Sequence, residues 1–245
     1  MLFAAIEGLD ASGKMTQSKL LADWLRTQRE RPFNKPLDVI ERSFPAYETA
    51  TGRVIKRHLM KEWSAAAVTS AATNYARKGA AFARTTIEVD KEADALAFQA
   101  LQTANRFEAL PGEVWSKPAN TALVCDRYHA SALVYGALDG IDVDLLDRIS
   151  FGLPMPQLYI LLDVDVADSL ARRPERRDRY EQDLPFMERV QARYVQLFQE
   201  RAALGWVIVN GRGTVDEVHQ AIIQHVSDAF PLERADGAGF QKRGV

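Results

Sequence analysis

The first apolar segment of the chain runs directly into a glycine-containing turn, and that turn runs into a helix. Residues 2–6 (LFAAI) have the pattern of a strand covered on both faces. Residues 8–14 match G-x-x-x-x-G-K, and apolar spacing predicts a helix over Gln17–Arg29. Glycines let successive backbone N–H groups converge on one anion, and a helix N-terminus adds partial positive charge. This segment therefore predicts a phosphate-binding loop in which Lys14 reaches the outer phosphates of a nucleotide.

The residues that start this helix favour a bound anion over a plain glycine-rich turn, but one of them departs from the usual pattern. The helix dipole disfavours a cation at Lys14 unless an anion is bound nearby. The next residue is Met15, where a Ser or Thr hydroxyl would bind Mg²⁺. A thioether is a poor ligand for so hard a cation, and Thr16 faces roughly 100° away around the helix. Either water replaces the missing ligand, or the metal relies on carboxylates elsewhere.

The rest of the chain alternates apolar strands with helical patterns. Further strands are predicted at residues 37–40, 121–125, 158–164 and 206–209, and helices at 54–60, 91–110, 131–138, 167–173 and 215–229. Such alternation implies a parallel sheet with right-handed crossovers. We therefore expect an α/β fold, with residues 1–230 as a single domain. Residues 61–90 are rich in Ala and Thr and are predicted to be a helical insertion, and 231–245 a polar flexible tail.

Charge and cysteine content exclude several classes of protein. A formal net charge of -2 gives no basic field to hold nucleic acid or an anionic membrane, so a polyphosphate must be held by local basic clusters. Cys125 is the only cysteine, which excludes an intrachain disulfide and a Cys-based zinc site, and its strand context predicts a buried small hydrophobe. No apolar run approaches the ~20 residues of a membrane span, and no signal-peptide pattern is present. A cytoplasmic protein is expected.

A second set of charged residues follows the strand at 121–125. Asp126 and Arg127 come where that strand ends, and ligands of open α/β sheets bind at the carboxyl edge. Asp126 could hold a metal-bound water, and Arg127 could form a bidentate contact with a phosphate. A surface ion pair is the alternative.

Five arginines lie between residues 171 and 181: Arg172, Arg173, Arg176, Arg177 and Arg179. The alternative to a functional role is a solvated charged face. The run is nevertheless locally basic in an acidic chain, which favours a mobile lid, at about 172–182, that closes on ATP. Such a lid would stabilise charge on the migrating phosphoryl group and exclude water.

Short motifs in a fixed order make the chain resemble the thymidylate kinase family from Phe3 to about His225. They are the loop at 6–17 (IEGLDASGKMTQ), Phe44-Pro45, Asn105-Arg106, Asp126-Arg127-Tyr128 with Ser131 and Tyr135, the 152–156 string GLPMP, Arg179-Tyr180-Glu181, and the loop at 210–214. The resemblance implies a P-loop NTPase fold of three layers, α/β/α, around a five-stranded parallel sheet with an arginine-rich lid. It also implies ATP- and Mg²⁺-dependent phosphorylation of dTMP to dTDP by a homodimer.

The resemblance also implies roles for individual residues. ATP contacts are expected from Asp10, Ala11, Ser12, Gly13, Lys14, Met15, Thr16, Arg172 and Arg212. Contacts with the deoxynucleoside monophosphate are expected from Asp10, Phe44, Gln102, Arg106, Arg127, Ser131, Tyr135 and Tyr180. The expected catalytic residues are Lys14, Asp126, Arg127, Arg176 and Arg177, with Asp126 also holding the metal through water.

Base recognition is where the chain departs most from the family. Gln102 stands where the family has an aromatic residue that stacks on thymine, and Phe98, one turn earlier, could substitute for it. Another deoxynucleotide, such as 5-hydroxymethyl-dUMP, is therefore an alternative substrate. A nucleotide-binding regulator that has lost catalysis is the second alternative, and only Met15 supports it.

Overall fold

The computed structural model describes residues 1–30, 35–60, 91–110, 112–116, 120–172 and 183–234. The insertion predicted at 61–90, the lid residues 173–182 and the tail residues 235–245 lie outside this part of the chain.

Eight strands are found in the described residues: β1 (Leu2–Gly8), β2 (Gln28–Glu30), β3 (Lys35–Pro36), β4 (Asp38–Ser43), β5 (Thr121–Asp126), β6 (Leu158–Asp163), β7 (Trp206–Asn210) and β8 (Leu232–Arg234). Five of them form one parallel sheet in the order β4-β5-β1-β6-β7. The predicted α/β fold with a five-stranded parallel sheet is confirmed. All five strands point their carboxyl ends to one edge, which gathers the residues that follow them.

The helices of the described residues are α1 (Lys14–Arg26), α2 (Ala50–Leu59), α3 (Lys91–Ala109), α4 (Gly112–Ser116), α5 (His129–Leu138), α6 (Val143–Ile149), α7 (Val166–Arg172), α8 (Leu184–Glu200) and α9 (Val215–Ala229). A short 3₁₀ helix, Ala202–Leu204, precedes β7. No helix in the described ranges combines the length and apolar character needed to cross a membrane.

Alternate residues of β1 pack against helices on opposite faces of the sheet, as the two-residue period of a strand requires. Ala4 and Ile6 belong to a core that includes residues of α1 and α9. Phe3 and Ala5 belong to a second core that includes residues of α5 and α8. The two cores make the sheet the middle of three layers. Cys125 is wholly buried in the second core, as predicted.

Helix α8 is the largest element that the sequence analysis did not predict. Asp183 caps it by accepting a hydrogen bond from the Phe186 N–H at 2.9 Å, and Pro185 stands in its first turn. Both features are helix-start signals, and buried residues recur along α8 at helical spacing. The sequence therefore contains helix-start signals for α8, but they directly follow the arginine run, which was interpreted as a lid.

The prediction of a flexible tail from residue 231 is wrong for its first residues. Strand β8 pairs antiparallel with β2, which also pairs with β3 in a separate three-stranded sheet. The backbone groups of Leu232–Arg234 are thus paired with a segment about 200 residues earlier, which no local pattern could indicate.

Candidate active site

The predicted phosphate-binding loop connects β1 to α1. The chain turns sharply at Gly8, where an added Cβ would lie 2.7 Å from the Leu162 carbonyl oxygen. Gly13, immediately before α1, has a φ of 98°, which favours glycine. Helix α1 begins at Lys14, three residues earlier than predicted. The loop and the first turn of α1, residues 10–17, line a large open cleft at the carboxyl edge of the sheet. A helix N-terminus that faces such a cleft is suited to binding an anion.

Lys14 lies at the base of this cleft with its charge largely removed from water. Its ammonium group donates to the Leu9 carbonyl, within the loop. Burial, and then the positive charge of Arg127, lower the pKa of Lys14 to about 8, while Asp10 and Asp126 act in the opposite direction. An anion bound in the loop would favour the charged form, because an opposite charge at close range stabilises it.

Arg172 joins the phosphate-binding loop to the turn after β7. Its guanidinium donates to the Ser12 carbonyl at 3.3 Å and to the Gly211 carbonyl at 2.9 Å, and it lines the cleft. Arg212 was also expected to contact ATP, but it does not line the cleft. It forms an ion pair with Asp165 at 2.6 Å on the protein surface.

Arg127 lies where this cleft meets a smaller pocket, and both Asp10 and Arg127 line the two cavities. The backbone of Arg127 has a φ of 63°, a conformation uncommon for a residue with a side chain. Its guanidinium donates to Asp10 at 2.7 Å and contacts the hydroxyls of Ser131 and Tyr194 at 3.3 and 3.2 Å. Burial opposes the charge, yet Asp10 and other neighbours hold the pKa of Arg127 well above its ordinary value. The guanidinium is therefore a permanent cation at the junction.

The smaller pocket is closed on one side by α3 and on the other by the turn after β4. Its lining residues are Asp10, Phe44, Pro45, Tyr47, Leu59, Phe98, Gln99, Gln102, Arg106, Arg127, Ser131 and Tyr135. Most of the residues predicted to contact the monophosphate substrate therefore lie in this one pocket. The Phe44–Pro45 peptide bond is cis, and the Asn105 side chain holds the following turn by accepting from the Ala46 N–H at 2.8 Å.

Arg106 and Gln99 line this pocket, and both carry buried polar atoms that have no hydrogen-bond partner among the described residues. Arg106 is only 3% exposed, and one of its terminal nitrogens donates to the Tyr128 carbonyl at 2.7 Å. Within the described residues, its Nε and second terminal nitrogen have no partner, and neither does Oε1 of Gln99. Burial lowers the pKa of Arg106. Unpaired buried polar groups are costly, so the pocket favours a ligand that offers both an acceptor and a donor.

Phe98 was predicted as a possible substitute for a stacking aromatic residue at position 102, and Phe98 and Gln102 both line the smaller pocket. Gln102 is half-buried and lines the pocket. Phe98 also lines it, but the ring is 2% exposed and stacks on His58 with centroids 4.1 Å apart. Phe98 thus forms part of the apolar wall.

Asp126 is the carboxylate at the end of β5 that faces the large cleft. One of its oxygens accepts from the Ser43 hydroxyl at 3.4 Å, and the other is buried without a partner among the described residues. Met15 lines the same cleft and is 75% exposed. No cluster of three or more potential metal ligands occurs in the described part of the chain. A cation here would depend on Asp126, on water and on the phosphates of a bound nucleotide.

The structure also brings in residues that the sequence analysis passed over. Glu7 is wholly buried at the end of β1 and accepts hydrogen bonds from the backbone of Tyr128 and from the hydroxyls of Ser131 and Tyr194. The sequence did contain a signal for Glu7, because a charged residue stands out in an otherwise apolar strand. Tyr194 had none, because α8 itself was not predicted. Arg176, Arg177 and Tyr180 lie outside the described residues.

A phosphate-binding loop and a second pocket that meet at a buried arginine, on a five-stranded parallel sheet, define a nucleoside-monophosphate kinase. The thymidylate kinase family model matches residues 72–222. The probable thymidylate kinase of Pyrococcus abyssi is 30% identical over 224 residues, which cover 90% of this chain and 93% of that protein. The chain belongs to the thymidylate kinase family, and it is an enzyme that phosphorylates a nucleoside monophosphate.

Further similarities span the same length of chain. The thymidylate kinase of Dictyostelium discoideum is 28% identical over 222 residues, covering 90% of this chain and 82% of that protein. The solved structure of thymidylate kinase from Candida albicans, described as revealing the origin of broad substrate specificity, has a TM-score of 0.63 at 21% identity. It covers 95% of both chains, which shows that the fold is shared from end to end.

Proposed function

We propose that this protein transfers the γ-phosphoryl group of ATP to dTMP, giving ADP and dTDP. The observation that carries the proposal is the position of Arg127, which lies between the loop cleft and the smaller pocket and lines both. A donor nucleotide in the cleft and an acceptor monophosphate in the pocket would meet at this cation. In-line phosphoryl transfer needs such an arrangement.

The reaction leaves little covalent work for the protein, so its side chains act by position and charge. Lys14 neutralises the outer phosphates of ATP, and Arg127 holds the phosphate of the acceptor. Arg176 and Arg177, from the arginine run, are proposed to stabilise the migrating phosphoryl group. Family membership further supports a homodimer, which analytical ultracentrifugation would test.

Mg²⁺ is the metal that this chemistry uses, and it fits the buried oxygen of Asp126 that has no partner among the described residues. Asp126 would hold the ion through water, and the ion would supply charge neutralisation at the ATP phosphates. Met15 contributes no ligand of the required hardness.

Replacing Met15 by threonine is expected to lower the Mg²⁺ concentration for half-maximal turnover by at least about threefold, because a hydroxyl would supply the missing hard ligand. Mg²⁺ titrations of turnover at fixed ATP would measure it. Met15→Leu is the matched control, since it keeps the size and adds no ligand. Identical titrations for the threonine and leucine variants would show that the cation does not depend on this position.

The base pocket is complementary to thymine. We propose that Arg106, whose Nε and one terminal nitrogen have no partner among the described residues, donates to a carbonyl at pyrimidine C4. Oε1 of Gln99, which likewise has no partner in that part of the chain, would accept from the N3–H. Cytosine reverses both groups, because it carries an amino group at C4 and an acceptor at N3. Tyr135 lines the same pocket and is proposed to occupy the space of a 2′-hydroxyl, which favours deoxynucleotides.

Gln102 favours a second candidate substrate, 5-hydroxymethyl-dUMP. An aromatic platform would contribute roughly 1 kcal/mol of stacking. A glutamine in the pocket wall can offset that loss only by hydrogen bonding to a polar substituent on the base.

Competition among pyrimidine monophosphates tests both candidates. We expect dTMP to be used, dUMP less well, 5-hydroxymethyl-dUMP at least comparably to dTMP, and dCMP at least about tenfold less efficiently because its donors face those of Arg106. Gln102→Phe should shift the preference toward dTMP. Gln102→Leu, which removes the amide without adding a ring, should lower the efficiency with both dTMP and 5-hydroxymethyl-dUMP. A preference of the unaltered protein for a purine monophosphate would overturn the specificity and leave the kinase activity standing.

A further inference from the structure

A hydrogen-bond network of three side chains, from three separate elements, holds the guanidinium of Arg127 in place. Glu7 is the last residue but one of β1, Ser131 lies in the first turn of α5, and Tyr194 lies on α8. The Ser131 and Tyr194 hydroxyls are 2.9 Å apart, and both contact the same terminal nitrogen of Arg127. Behind them lies Glu7, 0% exposed, with Oε2 2.6 Å from the Ser131 hydroxyl and 3.2 Å from the Tyr194 hydroxyl.

The Glu7 carboxylate determines where the two hydroxyl protons point. A hydroxyl has one proton to donate and two lone pairs to accept with, whereas an ionised carboxylate only accepts. Arg127 offers only donors and the carboxylate only accepts, so the Ser131 and Tyr194 protons each point to Glu7 or to the other hydroxyl. In either arrangement only oxygen lone pairs face the guanidinium of Arg127.

Two further observations agree with this polarity. The other oxygen of Glu7 accepts from the Tyr128 N–H at 2.7 Å and from the Ser131 N–H at 3.3 Å, which fixes the carboxylate in place. Burial, and then the charge of Glu7, raise the pKa of Tyr194 well above its ordinary value, so its hydroxyl stays protonated and remains a donor. Hydrogen-bond donation therefore runs in one direction: Arg127 donates to the hydroxyls, and the hydroxyl protons are directed toward the carboxylate.

We propose that Tyr194 and Glu7 are positioning residues for the acceptor phosphate, acting through Arg127. This inference rests on the proposed function, in which Arg127 holds that phosphate. Asp10 binds one terminal nitrogen of Arg127 at 2.7 Å and the two hydroxyls bind the other, so the guanidinium is held at both ends. Of five N–H groups, those not used by these neighbours are then directed to the ligand. Neither Tyr194 nor Glu7 lines the pocket itself.

The test compares Tyr194→Phe and Glu7→Gln with Tyr159→Phe as a matched control. Tyr159 is also a buried tyrosine, but its hydroxyl donates to the Met155 sulfur, 3.9 Å away. Tyr194→Phe removes one acceptor of Arg127. Glu7→Gln keeps the shape but places N–H groups where the hydroxyls now donate, so hydroxyl protons turn toward the arginine.

We expect the KM for dTMP to rise about fivefold in Tyr194→Phe and about thirtyfold in Glu7→Gln, with the KM for ATP within about twofold of the unaltered protein. Inhibition by thymidine, which lacks the phosphate, should be unchanged in both variants. Tyr159→Phe should leave all three constants unchanged. Thermal unfolding midpoints, measured alongside, identify any variant whose fold is impaired, and Tyr194→Phe then carries the test because it deletes one oxygen only.

Two results would overturn the proposal. One is an equal loss of affinity for thymidine and dTMP, which would mean that the network shapes the pocket and not the phosphate arginine. The other is a KM for dTMP in Tyr194→Phe that equals the value in Tyr159→Phe. If the unaltered protein does not phosphorylate dTMP, the proposed function fails separately. The same comparison is then made with the monophosphate it does use and the matching nucleoside.

Discussion

Replacing Lys14 by alanine is expected to lower kcat at least about 100-fold while the protein stays folded. The ammonium group lies at the base of the cleft and donates to the Leu9 carbonyl, so the variant loses a positioned charge and little packing. Because burial lowers the pKa of Lys14 from 10.5 to about 8, keeping Lys14 charged at pH 7 costs the native state free energy relative to the unfolded chain. The thermal unfolding midpoint of Lys14→Ala at pH 7 should therefore equal or exceed that of the unaltered protein.

Two comparisons make the Lys14 result specific. Lys19→Ala removes an exposed lysine from the same helix and should keep near-normal turnover. ATP affinity of the unaltered protein should fall as the pH rises through about 8, where the unliganded Lys14 loses its proton, and Lys14→Ala should lack that fall. Near-normal kcat in Lys14→Ala would contradict the phosphate-binding role of the loop.

The second large effect is expected at Arg127, where Arg127→Met should lower kcat/KM for the monophosphate by about 10³-fold. The substitution keeps an unbranched apolar side chain but removes the cation between the two cavities. It also removes the 2.7 Å ion pair between the guanidinium and Asp10, so the Asp10 carboxylate would repel a phosphate bound nearby. Loss of the attraction by Arg127 and gain of the repulsion by Asp10 therefore both lower kcat/KM for the monophosphate.

Steady-state kinetics with ATP and each monophosphate would measure this loss. Arg193→Met is the control, because Arg193 pairs with Glu200 at 3.3 Å on the surface of α8, away from both cavities. A variant at Arg127 whose only defect is a higher KM for ATP would place the arginine at the donor nucleotide instead of the acceptor.

The sequence alone was sufficient to predict the sheet and the loop, because both are encoded locally. A continuous apolar run specifies a strand buried on both faces, and glycines before a lysine specify a loop that curls around an anion. Asp126 and Arg127 were predicted at the carboxyl edge for the same reason, since they directly follow a strand. The family motifs added the roles of these residues, and most of the predicted acceptor contacts lie in one pocket.

Only the tertiary structure decided which distant residues meet. Tyr194 and Glu7 are 187 positions apart, and their contact depends on packing α8 against the same face of the sheet as α5. Gln99 became a candidate because its amide oxygen is buried and has no partner in the part of the chain that the structure describes. That is a property of the packed pocket and not of its place in α3. The ion pair of Arg212 with Asp165 and the pairing of β8 with β2 likewise join separate elements, so they too depend on the packed fold. Periodicity reports which face of an element is apolar, whereas contacts between elements are fixed only when the chain packs.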